Sequence, residues 1–78
     1  MTASITVYTK PLCPQCNLTK LQLDKLGIEH RVIDVTADPE AHAYVKSLGY
    51  SQAPVVVVND GERHWGGFRV DKLRELAT

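Results

Sequence analysis

The sequence predicts an α/β domain in which a βαβ unit is followed by α, β, β and α, giving a four-stranded mixed sheet flanked by three helices. Three observations predict it. Strand-like and helix-like segments alternate along the chain. An unbroken apolar run, Pro54-Val55-Val56-Val57-Val58, has the character of a central strand covered on both faces. The only two cysteines, Cys13 and Cys16, stand where the first strand pattern gives way to the first helix pattern. With 78 residues, 44% of them hydrophobic, the chain suits one compact domain over residues 1–78 and leaves no room for a second core.

The elements follow in order. Ile5-Thr6-Val7-Tyr8-Thr9 is rich in β-branched and aromatic residues and is stopped by Lys10-Pro11, so the first strand ends just before the cysteines. From Pro14 onward, Leu18, Leu21, Leu23 and Leu26 recur among polar residues as in an amphipathic helix closed by Gly27. Pro14 fits the first helical turn, where a missing N–H breaks no bond, and Cys13 then falls near the N-cap. His30-Arg31-Val32-Ile33-Asp34-Val35 is a second strand, which the intervening helix pairs in parallel with the first through a right-handed crossover. Asp38 and Pro39 open a second helix that runs to Gly49 and turns Ala41, Ala43, Tyr44, Val45 and Leu48 to the sheet. After the valine run, Asn59-Asp60-Gly61 signals a turn, and Glu62-Arg63-His64-Trp65 returns as a short antiparallel edge strand. Gly66-Gly67 then precedes a last helix from about Phe68, with Val70, Leu73 and Leu76 on one face.

Nine Lys plus Arg balance nine Asp plus Glu, so the broad positive field that nucleic-acid binding requires is absent and no nucleic-acid partner is expected. The N-terminus lacks a basic flank followed by a long apolar run, and no segment approaches the roughly 20 apolar residues of a membrane span. A cytoplasmic monomer with no membrane partner is expected. In a reducing cytosol, paired cysteines serve a transient catalytic disulfide rather than a lasting brace, and so short a loop constrains the unfolded chain little.

On a helix, positions i and i+3 share one face, which brings the two sulfurs within disulfide distance. Only the thiolate attacks a disulfide, and a free cysteine with a pKa of about 8.5 is mostly protonated at neutral pH. A helix N-terminus favours the anion. Cys13 is therefore expected to be the nucleophile and Cys16, one turn inside, the resolving thiol, with the helix start facing solvent and Cys16 against the body of the protein. Lys10 either tunes Cys13 or is an ordinary surface charge. Pro54 either holds a cis bond that exposes the Ala53 backbone to an extended substrate segment, or is a trans proline starting a strand. No metal is expected: structural zinc takes four ligands, and His30, His42 and His64 complete no finger spacing with the cysteines. The competing metal form is a cluster bridging two chains.

A C-x-x-C beside a βαβ pattern resembles the thioredoxin fold in its minimal form. The motifs Val7-Tyr8-Thr9-Lys10-Pro11, Cys13-x-x-Cys16, Leu48-Gly49-Tyr50, Gln52-Ala53-Pro54-Val55-Val56-Val57 and His64-Trp65-x-Gly67-Phe68-Arg69 resemble, in order and spacing, those of the NrdH-redoxins, glutaredoxin-like proteins of the thioredoxin superfamily. The resemblance covers nearly the whole chain. It implies a dithiol electron donor to the large subunit of class Ib ribonucleotide reductase, recharged by thioredoxin reductase. It further implies that no cofactor is bound and that NADPH and FAD act only through the reductase. It also implies a cis Pro54, and a surface for substrate and partner made of Lys10, Pro14, Gln15, Gln52, Ala53, Pro54, Trp65, Gly67, Phe68 and Arg69.

Trp65 and Phe68 have two readings, an apolar patch for the reductase or plain packing. Arg69 is expected to anchor its loop through backbone carbonyls rather than bind a substrate carboxylate. Tyr8, Tyr44 and Tyr50 are expected to pack, and the histidines to have no catalytic duty. Two departures from the family pattern, Pro14 and Gly66, lean toward a glutathione-dependent glutaredoxin. Gln52-Ala53 before the proline and Phe68-Arg69 after the glycines lean away from it. Glutathione is thus the alternative partner.

Overall fold

The computed structural model describes residues 4–77. The absence of a basic targeting flank was read partly from residues 1–3, which lie outside that range. Four strands, β1 (Ile5–Thr9), β2 (Arg31–Asp34), β3 (Val55–Val58) and β4 (Arg63–Gly66), form one sheet in the order β2-β1-β3-β4. β1 pairs in parallel with β2 and antiparallel with β3, which pairs antiparallel with β4. Among the described residues there are three α-helices, α1 (Pro14–Lys25), α2 (Pro39–Ser47) and α3 (Val70–Leu76). This is the expected thioredoxin fold.

The valine run explains the layering. All four residues of β3 are buried, and because side chains alternate across a strand they feed two cores. Val56 and Val58 join Ile5, Val7, Leu23, Trp65 and Leu73 on the face covered by α1 and α3. Val55 and Val57 join Val45 of α2 on the other face, with Tyr8, Val35, Tyr44, Leu48 and Tyr50 packed around them.

Local chemistry fixes each helix end. Pro14 and Pro39 occupy the first helical position of α1 and α2, after the N-caps Cys13 and Asp38. The Ala41 N–H donates to Asp38 Oδ1 at 3.1 Å. At the far ends Gly27 and Gly49 adopt φ of 70° and 98°. This left-handed turn lets Ile28 N–H bond Leu23 O (3.0 Å) and Tyr50 N–H bond Val45 O (3.1 Å), satisfying carbonyls the helices leave open.

Four details differ from the sequence reading. The buried face of α1 is Cys16, Thr19 and Leu23, with Leu26 beside the core, whereas Leu18 and Leu21 face solvent. Positions 16, 19, 23 and 26 trace one helical stripe, and 18 and 21 lie on the opposite side. Ala43 of α2 is likewise exposed. The β3–β4 connection is a short 3-10 turn over Asn59–Gly61, so β4 begins at Arg63 and extends to Gly66. Asn59 links that turn to the chain start, where the Asn59 N–H donates to Ser4 O at 2.8 Å and the Ser4 N–H donates to Asn59 Oδ1 at 3.0 Å. Finally, α3 starts at Val70 rather than Phe68, because Gly67 and Arg69 hold non-helical backbone before it.

Candidate active site

The end of β1 and the start of α1 set the two cysteines. They form a disulfide with Cα atoms 5.2 Å apart. Cys13 is also the N-cap of α1: its Sγ accepts a hydrogen bond from the Cys16 N–H at 3.1 Å, filling the place that a serine or aspartate oxygen takes in most helices. Leu12, immediately before it, is 99% exposed and sits at φ 56°, a left-handed conformation unusual for a branched residue. That turn swings Cys13 from strand to cap.

The expectation that Cys13 faces solvent needs correction. Cys13 is 7% exposed and Cys16 1%, so both are buried and the difference in access between them is small. The disulfide ties Cys13 to the Cys16 side, and capping turns its sulfur toward the helix end rather than outward.

The Ala53–Pro54 peptide bond is cis. Among the described residues, none hydrogen-bonds to the Ala53 N–H or C=O, while Pro54 O accepts from the Gly67 N–H at 2.8 Å. An open groove of about 420 Å³ runs between these segments and is lined by Gln15, Gly49, Tyr50, Ser51, Gln52, Ala53, Gly66 and Gly67. It brings together four residues singled out in the sequence, Gln15, Gln52, Ala53 and Gly67. Gly67 holds φ 83° and lies across from Gln15, whose Oε1 would be 3.7 Å from an added Cβ. A second cleft of about 280 Å³ lies behind the same loop, where Lys10 meets Tyr8, His42, Lys46, Gln52 and Ala53. Burial raises the Tyr8 phenol above its ordinary pKa, with Tyr44 adding to the effect, so this hydroxyl is neutral in the cleft.

Trp65, Phe68 and Arg69 do not join the groove. Trp65 is 5% exposed within the α1–α3 core, so it packs and forms no surface patch, while Phe68 is half-buried against that core. The buried Trp65 Nε1–H has no hydrogen-bond partner among the described residues. Arg69 pairs with the exposed Asp71 carboxylate, at 3.3 Å from Nε to Oδ1 and 3.1 Å from a terminal nitrogen to Oδ2, and not with backbone carbonyls. This contact holds the Asp71 carboxyl below its ordinary pKa. Tyr50, read from the sequence as a packing residue, also lines the groove, as do Gly49 and Ser51, which were given no site role, and Gly66, which was weighed only for glutathione. No group of three or more His, Cys, Asp and Glu able to hold a metal occurs among the described residues. None of the helices there is long and apolar enough to cross a membrane.

Comparison with known proteins bears on this geometry. The family model described as Glutaredoxin matches residues 5–64. The glutaredoxin-like protein NrdH of Salmonella typhimurium is 37% identical over 73 residues, 94% of this chain and 88% of that protein. The chain belongs to the glutaredoxin family, in its NrdH-redoxin branch. A Neisseria meningitidis glutaredoxin is 40% identical over 67 residues, covering 83% of this chain and 76% of its own. The solved Escherichia coli NrdH-redoxin, a glutaredoxin-like protein described by its thioredoxin-like activity profile, superposes with a TM-score of 0.86 at 37% identity over 94% of this chain and 93% of that one. The chain is a thiol-disulfide oxidoreductase of this family with its C-x-x-C pair at Cys13 and Cys16.

Proposed function

We propose that this oxidoreductase carries electrons from NADPH, through the flavoenzyme thioredoxin reductase, to class Ib ribonucleotide reductase. The observation that carries the reading is its match, over nearly the full chain, to an NrdH-redoxin whose activity profile is thioredoxin-like. Gln52-Ala53 ahead of Pro54 supports it.

In the forward step the Cys13 thiolate attacks one sulfur of the substrate disulfide. A Cys13–substrate mixed disulfide forms, and the other substrate sulfur leaves as a thiolate. The Cys16 thiolate then attacks Cys13 Sγ, closing the Cys13–Cys16 disulfide and releasing the second substrate thiolate. The dithiol loses two electrons and the substrate gains them, and protons pass from the cysteines to the released thiolates. Free Ala53 backbone groups beside the groove pair with an extended substrate segment as an added strand would. Gln15, Gln52 and Gly67 line the groove around that segment, with Pro14 next to Gln15 at the start of α1 and Lys10 in the adjoining cleft. The protein acts as a monomer in the cytoplasm, with no bound cofactor.

A glutathione-dependent reaction is the second reading, favoured by Pro14 between the cysteines and by Gly66-Gly67. The deciding measurement is reduction of a disulfide substrate with NADPH and thioredoxin reductase, beside NADPH, glutathione and glutathione reductase. Turnover is expected in the first arm, and turnover confined to the glutathione arm sinks the NrdH-redoxin function.

A further inference from the structure

Tyr50 is held at three points. Its N–H is bonded to Val45 O at the end of α2. Its hydroxyl lies 2.7 Å from His64 Nδ1, the two rings meeting edge to face with centroids 5.5 Å apart. Its ring also lies against Gly66, where an added Cβ would come within 3.1 Å of the ring edge. His64 and Gly66 are two apart on β4 and so present the same face of the sheet. Tyr50 therefore straps the end of α2 to the edge strand, and residues 51–53 leave the strap directly for the cis proline. At the loop's other end the Gly67 N–H, one residue past β4, donates to Pro54 O at 2.8 Å, so β4 and the residue after it hold the loop at both ends.

We propose that Tyr50 is a positioning residue, seated over Gly66 and tied to His64, that sets where the Ala53 backbone presents itself to the substrate. Gly66 is needed by the Tyr50 ring. A side chain there pushes the ring by a few tenths of an ångström, because the contact is tighter than ordinary packing. The glycine pair that leaned toward glutathione in the sequence thus has a packing cause at its first member. This rests on Ala53 being the edge that receives substrate.

The test uses the full chain, reduced with dithiothreitol, in single-turnover reaction with a peptide carrying one intramolecular disulfide. Loss of one net hydrogen bond is worth about three- to tenfold, so Tyr50→Phe and His64→Leu should each raise the half-saturating peptide concentration by about that factor. Maximal rate and the iodoacetamide reactivity of Cys13 should stay where they are. The double variant should show no further loss, since coupled partners are non-additive. Gly66→Ala should weaken binding more, and Tyr50→Leu should partly restore it in that background. Additive losses, or a change in maximal rate alone, overturn the proposal. Should Gly66→Ala not fold, the Tyr50 and His64 variants decide, as their contact is at the surface. The Ala53 amide resonance of the Cys13→Ser protein separates the two ideas. No response to peptide in the Tyr50-intact protein refutes Ala53 pairing. An equal response with and without Tyr50→Phe refutes the strap.

Discussion

Cys13 Sγ has two duties, closing the disulfide and capping α1 through the Cys16 N–H. When the disulfide opens, the same donor faces a thiolate, and a hydrogen bond to a charged acceptor is roughly twice as strong as a neutral one. The positive end of α1 acts in the same direction. Reduced Cys13 should therefore alkylate with a pKa below the ordinary value of about 8.5. Because the two cysteines differ little in exposure, the proposed order of attack rests on this cap more than on access. With a disulfide substrate, Cys16→Ser should trap a covalent complex and Cys13→Ser should not, as read by non-reducing electrophoresis and mass spectrometry. Equal trapping by both variants refutes the order of attack.

At the scale of elements, α1 shows how far leucine counting goes. Leu23 is fully buried, whereas Leu21 is 58% exposed. Leu23→Ala should cost about 2–5 kcal/mol in chemical denaturation, the usual range for a buried leucine. Leu21→Ser should stay within about 0.5 kcal/mol, as for an ordinary surface change. Comparable losses from both would mean that the two faces of α1 are wrongly assigned. The helix itself was legible because Pro14 and Gly27 mark its ends, but its face was not. Thr19 belongs to the buried stripe, and its polarity conceals this: the hydroxyl donates to Gln15 O at 2.9 Å, so the helix satisfies it internally. The valine run was easier to read, because a strand buried on both faces has no polar side to confuse the pattern. Cys13, Cys16 and Pro54 carry chemistry in their residue type and spacing, and so stood out. The Tyr50–His64 contact did not, since its members are 14 residues apart on different elements and no periodicity links them. Trp65 was ambiguous for a related reason: an edge strand has one covered face, and only the register of β4 against β3 tells which residue turns inward.

Across the whole molecule, two hydrophobic clusters share β3 and neither includes the cysteines, although both cysteines are buried. The dithiol is thus buried beside the shared core without joining either cluster. The disulfide spans a sequence separation of three. By loop entropy, a link that short stabilises the fold by only about 2 kcal/mol, and the capped Cys13 thiolate offsets part of its loss on reduction. Urea unfolding of the oxidised and reduced forms should accordingly differ by about 2 kcal/mol or less. The slopes with denaturant should match, because both forms bury the same two clusters. A much larger loss on reduction, or a shallower slope for the reduced form, would place the disulfide among the supports of the core and contradict the division between fold and chemistry.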